Sequence, residues 1–279
     1  MKKADIIILA GQSNAVGVGH LKCLSRHYSQ EKIDEYLAGY ENIKIKYYSH
    51  DKRGGDFQKT TVNCTEINKD TLGPEIGIAE YLTEKHPGRE FFIVKCAFGG
   101  TNLCNDWLSP SSGANFSYDE TKICAINNTN RITGWCYNEL IKILGDSIED
   151  LKKMGYEPNI GAFCWMQGES DACGEDTQKK YIERYDNLLS DLRAEYGEYM
   201  SDCRYSDAGV SERWTFYNEM NTAKEEYANT HKNHFFVDTV GAGLTTAYEP
   251  VEDPDTAHYD IDCTIKLGRM FAEKFEFDN

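Results

Sequence analysis

The stretch Ile6-Ile7-Ile8-Leu9-Ala10-Gly11-Gln12-Ser13-Asn14 decides the fold, because an apolar run ends there in an abrupt polar turn. A continuously apolar run of this length, here Asp5–Ala10, is typical of a parallel strand that is covered on both faces. The turn places small and hydrogen-bonding residues directly after the strand. Ligands of open parallel sheets bind at the carboxyl ends of the strands. The stretch therefore predicts a buried strand and the edge of the sheet at which a site would lie.

The rest of the chain alternates short apolar runs with stretches of helical period. The further strand candidates are Ile43–Tyr48, Glu90–Ala97, Ile160–Met166, Tyr199–Ser206 and Phe235–Thr239. The helix candidates are Pro74–His86, Gly134–Met154, Gln178–Tyr196, Trp214–Thr230 and Cys263–Phe275. Strands that alternate with helices predict an α/β protein. We expect one domain over residues 1–279, a three-layer flavodoxin-like sandwich whose five-stranded, mainly parallel sheet has the order 2-1-3-4-5.

Three long polar segments interrupt this alternation. They are Gly17–Glu41, His50–Leu72 and Asn105–Thr133. Long loops in a compact domain are usually functional or mobile. We expect these insertions to form the walls of a cleft.

The composition excludes several classes of partner. The 279 residues include 30 Lys and Arg against 46 Asp and Glu, which gives a net charge of −16. Such a chain is unsuited to nucleic acid or to an anionic membrane surface, and it has no apolar run of transmembrane length. The ten cysteines form no CxxC motif, and the N-terminus does not resemble a secretory signal. We expect reduced thiols in a cytoplasmic protein, with a disulfide-bonded secreted form as the alternative.

Polar blocks follow the first, third and fourth strand candidates. The blocks are Gly11-Gln12-Ser13-Asn14, Phe98-Gly99-Gly100-Thr101-Asn102 and Gln167-Gly168-Glu169-Ser170-Asp171, and a fourth block, Asp253-Pro254-Asp255-Thr256-Ala257-His258-Tyr259, follows the last strand. In the order 2-1-3-4-5 these three strands are adjacent. Their polar ends then meet at one place, which predicts a site built from several blocks.

Ser13 and His258 are the candidate nucleophile and base. A serine hydroxyl needs a neighbouring base near neutral pH, and the base needs an acceptor that fixes its tautomer. Asp255 lies three residues before His258, so both side chains can lie on one side of a turn. The alternatives are an N-cap role for Ser13 and a solvated acidic loop around His258. The G-x-S-x-G elbow of α/β-hydrolases is absent, because Asn14-Ala15 follows Ser13.

Other residues of these blocks suit supporting roles. Gly99-Gly100 lets the backbone approach a ligand and present an N–H group, and Gln167 offers an amide donor; a plain turn and a packing role are the alternatives. Glu169 and Asp171 are better suited to accepting hydrogen bonds than to direct catalysis. Asp253, Asp255 and His258 could ligate a divalent cation, but no HExxH motif or matching second cluster accompanies them. We expect no metal and no cofactor.

Taken together, the four blocks resemble the sialate O-acetylesterase-like branch of the SGNH hydrolases, which includes the acetylxylan esterases of carbohydrate esterase family 6. The matching motifs are GQSN, FGGTNL, WMQGESDA and DTAHYD, which span nearly the whole chain. The resemblance implies the SGNH form of the fold. It also implies a catalytic triad of Ser13, His258 and Asp255. In this branch the oxyanion hole would comprise the backbone N–H groups of Ser13 and Gly100 and the side chain of Gln167.

The resemblance also suggests which residues contact the substrate. Trp107 matches a family aromatic that could stack on a sugar ring, with loop packing as an equal alternative. The remaining expected substrate contacts are Asn14, Thr101, Asn102 and Glu169. The implied activity is removal of O-acetyl groups from a small carbohydrate ester, either acetylated xylan or 9-O-acetyl sialic acid. The net charge favours the neutral sugar. The alternatives are a lipase- or thioesterase-like hydrolase and a non-catalytic carbohydrate-binding protein.

Overall fold

The computed structural model describes residues 2–49, 52–62, 70–114 and 133–277. Its strands are β1 (Lys2–Gly11), β2 (Gly19–His20), β3 (Tyr40–Ser49), β4 (Lys52–Arg53), β5 (Gln58–Thr60), β6 (Thr71–Leu72), β7 (Phe91–Ala97), β8 (Tyr156–Met166), β9 (Arg204–Ala208) and β10 (His234–Val237). Its α-helices are α1 (Ser13–Val16), α2 (Gln30–Ala38), α3 (Glu75–Lys85), α4 (Trp135–Lys153), α5 (Glu175–Tyr196), α6 (Tyr217–Thr230) and α7 (Ile261–Ala272). Short 3₁₀ helices cover Leu21–Arg26, Pro110–Ser112, Asp171–Cys173 and Gly197–Tyr199.

The strands form a mainly parallel central sheet, as predicted. Its order is β10-β9-β8-β1-β7-β3-β4, and β5 also pairs with β3. The six longer strands run parallel, whereas β4 and β5 are antiparallel to β3. A second, two-stranded sheet joins β2 to β6.

The predicted five strands and the order 2-1-3-4-5 were wrong. The sheet has eight strands in the described part of the chain, and β1 lies between β7 and β8. Two of the extra strands, β4 and β5, have only two and three residues, so they are too short to produce an apolar pattern. The order differs because the chain leaves a gap between β1 and β3 that β7 fills, and then crosses to the other side of β1 to form β8. The three strands that carry the polar blocks are nevertheless adjacent.

Burial explains the strand and helix bounds. Every residue of β7 is buried, and so are the last eight residues of β1, as expected for strands covered on both faces. Helix α4 buries an apolar stripe that includes Leu140, Leu144 and Leu151, and it ends in two lysines. The predicted strand 199–206 is shifted, because a 3₁₀ turn occupies its first residue and β9 begins only at Arg204.

Close contact between α3 and α7 depends on two glycines. A Cβ at Gly77 would lie 1.9 Å from the carbonyl oxygen of Ile265, and one at Gly268 would lie 1.9 Å from that of Pro74. Only glycine lets the two helix backbones approach this closely.

Of the three predicted insertions, the structure describes the first in full and the other two in part. Gly17–Glu41 is not a plain loop, since it contains β2, a 3₁₀ helix and α2. Residues 50–51, 63–69 and 115–132 lie outside the described part, and with them much of the other two insertions. Among the described cysteines, Cys23, Cys104, Cys164, Cys173, Cys203 and Cys263 are free thiols. No helix in the described ranges is long and apolar enough to cross a membrane.

Candidate active site

The carboxyl ends of β1, β7 and β8 meet at one edge of the sheet. Gly11, at the end of β1, is in register with Ala97 of β7 and Met166 of β8. The turn after β1 is tied to both neighbours, because the Gln12 N–H donates to the carbonyl of Met166 and Gly11 accepts from Phe98 N–H. Three of the four polar blocks therefore begin within hydrogen-bonding distance of each other, and β1 lies at the point where the chain reverses its direction across the sheet.

Gly11 sets the direction of the turn that carries Ser13. Its φ is +140°, and a Cβ there would lie 1.9 Å from the carbonyl oxygen of Met166. A side chain would force β1 and β8 apart, so only glycine is compatible with this turn. Ser13 then begins the four-residue helix α1 and remains half-buried.

His258 and Asp255 form a hydrogen-bonded pair. Nδ1 of His258 lies 2.5 Å from Oδ2 of Asp255, and the other carboxylate oxygen accepts from the backbone N–H of Ala257 at 2.9 Å. Burial raises the pKa of Asp255, but the hydrogen bonds with the His258 side chain and with the backbone of Ala257 and His258, together with the charge of His258, outweigh it, so the pKa lies below its ordinary value. A carboxylate on Nδ1 leaves Nε2 as the nitrogen that can accept a proton.

Asn14 joins the serine turn to the histidine loop. Its Oδ1 accepts from the backbone N–H of Tyr259 at 3.0 Å, and its Nδ2 donates to Oε1 of Glu169 at 2.8 Å. Asn14 directly follows Ser13 and Tyr259 directly follows His258, so this bond brings the nucleophile and the base candidates together. In the described part of the structure, Ser13 Oγ makes no hydrogen bond to His258; such bonds often tighten only when substrate is present.

Glu169 is buried beside these groups. Burial raises the pKa of its carboxyl, and the hydrogen bond from Asn14 partly opposes that effect. Its second oxygen, Oε2, has no hydrogen-bond partner in the described structure. Both Asn14 and Glu169 were expected to contact substrate; here they bind each other and are almost completely buried.

Gln167 is surrounded by acceptors. Its Nε2 lies 2.6 Å from Oδ2 of Asp171 and 3.3 Å from both Gln12 Oε1 and the carbonyl of Thr101. An amide has only two N–H donors, so the two long contacts share one of them. Burial raises the pKa of Asp171. The oxyanion role of Gln167 stays a prediction, and it requires this shared donor to turn toward the substrate.

The residues after β7 differ in how far they are buried. Gly100 is exposed, with a φ of +66° and open space where a Cβ would lie, and Asn102 is half-buried. Thr101 is buried, and two hydrogen bonds satisfy its hydroxyl, which donates to Phe98 O and accepts from Trp107 Nε1. Trp107 is fully buried, with its ring 4.9 Å from that of Trp165. Loop packing, the alternative for Trp107, accounts for these contacts.

The sequence did not reveal a buried lysine beneath the Gln167 loop. Lys224 of α6 donates to the carbonyls of Gln167 and Ala208 and to Oδ1 of Asp207, at 2.6–2.8 Å. Burial raises the pKa of Asp207 to about 6 despite this partner. The three bonds use all three N–H donors of the lysine and tie the ends of β8 and β9 together. A polar residue in an amphipathic helix gives no sign of such burial.

Lys95, which could not be placed from the sequence, is also buried. It lies in β7 and donates to Glu75 and to the carbonyl of Val16, both at 2.7 Å. These two hydrogen bonds connect α1 to α3 through Lys95. Arg53 has no described side chain and Arg131 lies outside the described residues. In the described ranges, no three His, Cys, Asp or Glu side chains are grouped as metal ligands would be.

Comparison with known protein families shows which family the chain belongs to. Residues 3–276 match the family described as carbohydrate esterase, sialic acid-specific acetylesterase. The chain belongs to this family. It is therefore a carboxylic ester hydrolase. No curated protein sequence matches the chain.

Solved structures share the fold of the esterase at low sequence identity. A protein from Arabidopsis thaliana is 18% identical with a TM-score of 0.66, and the match covers 97% of each chain. NanS is 18% identical with a TM-score of 0.69, over 98% of this chain and 96% of its own. A carbohydrate acetylesterase from Xanthomonas citri is 15% identical with a TM-score of 0.64, over 97% of this chain and 55% of its own. These likenesses extend the family assignment to the three-dimensional fold.

Proposed function

We propose that the esterase removes acetyl groups from sugar hydroxyls through an acetyl-Ser13 intermediate. The observation that carries the proposal is the Asn14 bridge, which brings the His258–Asp255 pair to the serine turn. A serine, a histidine and a carboxylate in that order are the parts of a nucleophilic triad. The family match supports a carbohydrate acetyl ester as the substrate.

The chemistry follows from the roles of these groups. Ser13 Oγ attacks the acetyl carbonyl while Nε2 of His258 takes the hydroxyl proton, and the tetrahedral oxyanion accepts hydrogen bonds from the N–H groups of Ser13 and Gly100 and from Gln167. Collapse releases the sugar alcohol, to whose oxygen His258 returns the proton. Water then attacks the acetyl-enzyme by the same steps in reverse order. Asp255 orients the imidazole and stabilises its charged form.

Acetate release by single variants tests this proposal. Ser13→Ala should lower turnover of p-nitrophenyl acetate by about 10⁶-fold, whereas Gln167→Ala should lower it by about 10²–10³-fold. Ser170→Ala is the matched control, since it removes a half-buried hydroxyl from the neighbouring block. A fluorophosphonate should label the wild type and fail to label Ser13→Ala. Wild-type turnover by Ser13→Ala would overturn the serine mechanism.

The same assay separates the substrates and the alternatives. Acetate release is compared on acetylated xylo-oligosaccharides, on 9-O-acetyl sialic acid and on a long-chain acyl ester. Turnover of the acyl ester alone favours the lipase-like alternative. Binding of sugars without any turnover favours the non-catalytic one.

A further inference from the structure

A cavity opens beside the histidine loop. Its volume is about 480 Å³, and it lies beyond the carboxyl ends of β9 and β10, at the same edge of the sheet as Ser13. The segments 211–213 and 243–248 form two of its walls, and Thr256 forms a third. We call it the Tyr248 cavity, after the aromatic residue in its wall.

The third wall belongs to the loop that carries Asp255 and His258. Thr256 lies between Asp255 and His258, and its hydroxyl accepts a hydrogen bond from Nε of Arg213 at 3.2 Å. The backbone N–H of Asp255 donates to the carbonyl of Glu249, the residue after Tyr248. During ester cleavage the histidine returns its proton to the leaving oxygen. The alcohol half of the ester must therefore lie on the His258 side of Ser13, and the loop that carries His258 also contributes Thr256 to this cavity.

The cavity wall contains an exposed aromatic ring on a fixed backbone. Tyr248 is 62% exposed, one of the few large hydrophobic side chains that the described surface leaves open. Its backbone N–H donates to Oδ1 of Asp260 at 3.2 Å, and Oδ2 of that buried carboxylate accepts from Thr245. The ring is therefore open to solvent at the wall of the cavity, where a ligand can contact it.

The polar groups of the cavity wall carry both charges. Arg213 and Glu212 both face the cavity, and the guanidinium has no carboxylate within ion-pair distance in the described structure. Ser211 has a buried hydroxyl without a hydrogen-bond partner among the described groups. An apolar ring flanked by hydroxyl and guanidinium groups matches a pyranose, which presents C–H groups on one face and hydroxyls at its rim.

We propose that the Tyr248 cavity binds a pyranose ring of the alcohol half of the ester, with the apolar face of that ring on Tyr248 and its hydroxyls toward Arg213 and Thr256. This inference rests on the proposed function and adds the subsite that selects the sugar. The shared chemistry is a pyranose, whether neutral as in acetylated xylo-oligosaccharides or acidic as in 9-O-acetyl sialic acid.

Kinetics of Tyr248 variants test the subsite. Tyr248→Ala should raise KM for the sugar ester that the wild type hydrolyses by about tenfold and leave kcat within about twofold. Ethyl acetate is the control substrate, because its alcohol is too small to reach the ring, and its kcat/KM should not change. Tyr248→Phe keeps the ring and should retain the wild-type KM. Ala247→Trp, which fills the cavity from its exposed wall, should raise KM for the sugar ester alone.

Each outcome bears on one proposal only. Equal KM values for the wild type and Tyr248→Ala on both sugar esters would overturn the subsite, and so would equal losses on the sugar ester and on ethyl acetate. Failure of the proposed function is separate, since it would appear as acetate release that survives Ser13→Ala.

Discussion

Exchanging the polar groups of Asn14 and Glu169 tests whether their hydrogen bond holds the site together. Asn14→Asp keeps an acceptor for Tyr259 N–H but places a second carboxylate against Glu169, which now accepts from Asn14 at 2.8 Å. Two carboxylates at that distance cannot both ionise in a buried site. Glu169→Gln keeps an acceptor for Asn14, so alone it should be mild. The double variant restores an amide donor opposite a carboxylate acceptor.

The magnitude follows from the buried bonds involved. A hydrogen bond to a buried charged group contributes about 1.5–3 kcal/mol, so Asn14→Asp should lower the free energy of unfolding by about 2–4 kcal/mol and Glu169→Gln by about 1 kcal/mol. The double variant should recover about 1–3 kcal/mol of the loss relative to additivity. Because Tyr259 adjoins His258, Asn14→Asp should also lower kcat by about 10²-fold through displacement of the proposed base.

Urea unfolding and p-nitrophenyl acetate hydrolysis measure the two effects on the same preparations. Circular dichroism identifies variants that do not fold, and those are left out of the comparison. A double variant that is folded but neither more stable nor more active than Asn14→Asp would refute the reasoning.

Three further predictions concern the ends of the strands. Gly11→Ala should lower the free energy of unfolding in urea by more than about 3 kcal/mol, because its Cβ would meet the carbonyl of Met166. Gly88 is also at positive φ but lies in open space, so Gly88→Ala should lower that free energy by only about 1–2 kcal/mol. Similar losses for the two variants would contradict the steric argument. Lys224→Met should lower the free energy of unfolding by about 3–5 kcal/mol, since it leaves Asp207 without its cation. Adding Asp207→Leu should recover part of that loss. No recovery would mean that the loss does not come from the broken ion pair. The pKa of Asp207 is raised to about 6, so the native state holds the carboxyl proton more tightly than the unfolded chain does. The stability of the wild type relative to Asp207→Asn should therefore fall as pH rises from about 4 to 6 and then level off. A rise in relative stability over that interval in urea titrations would show that the pKa is shifted in the opposite direction.

The features predicted from sequence were those that local patterns encode. Apolar runs such as Asp5–Ala10 and Glu90–Ala97 located the central parallel strands, and the polar residues directly after them located the edge where the site lies. The Asp255–His258 contact was also predictable, because a spacing of three residues within one turn limits where the two side chains can go. Helix periodicity gave α3, α4, α5, α6 and α7 within three residues of their observed ends.

What the sequence could not provide depends on distant partners. The order of the strands depends on how the chain crosses β1, which no local pattern records. The Asn14–Glu169 bond joins residues 155 positions apart, and either residue alone resembles an exposed polar side chain. Lys95 and Lys224 are buried against expectation for lysine, since only the folded structure shows the carboxylates that pair with them.

The bond between Asn14 and Tyr259 spans 245 positions of the chain, and this separation bears on when the enzyme becomes active during its synthesis. The turn with Ser13 is synthesised long before the loop with His258, so a growing chain contains the proposed nucleophile well before the proposed base. Domains generally fold as their segments emerge from the ribosome, but here hydrolysis must wait until the loop with His258 has emerged. Turnover of a chromogenic acetate by chains released from stalled ribosomes would therefore report when these two parts of the site meet.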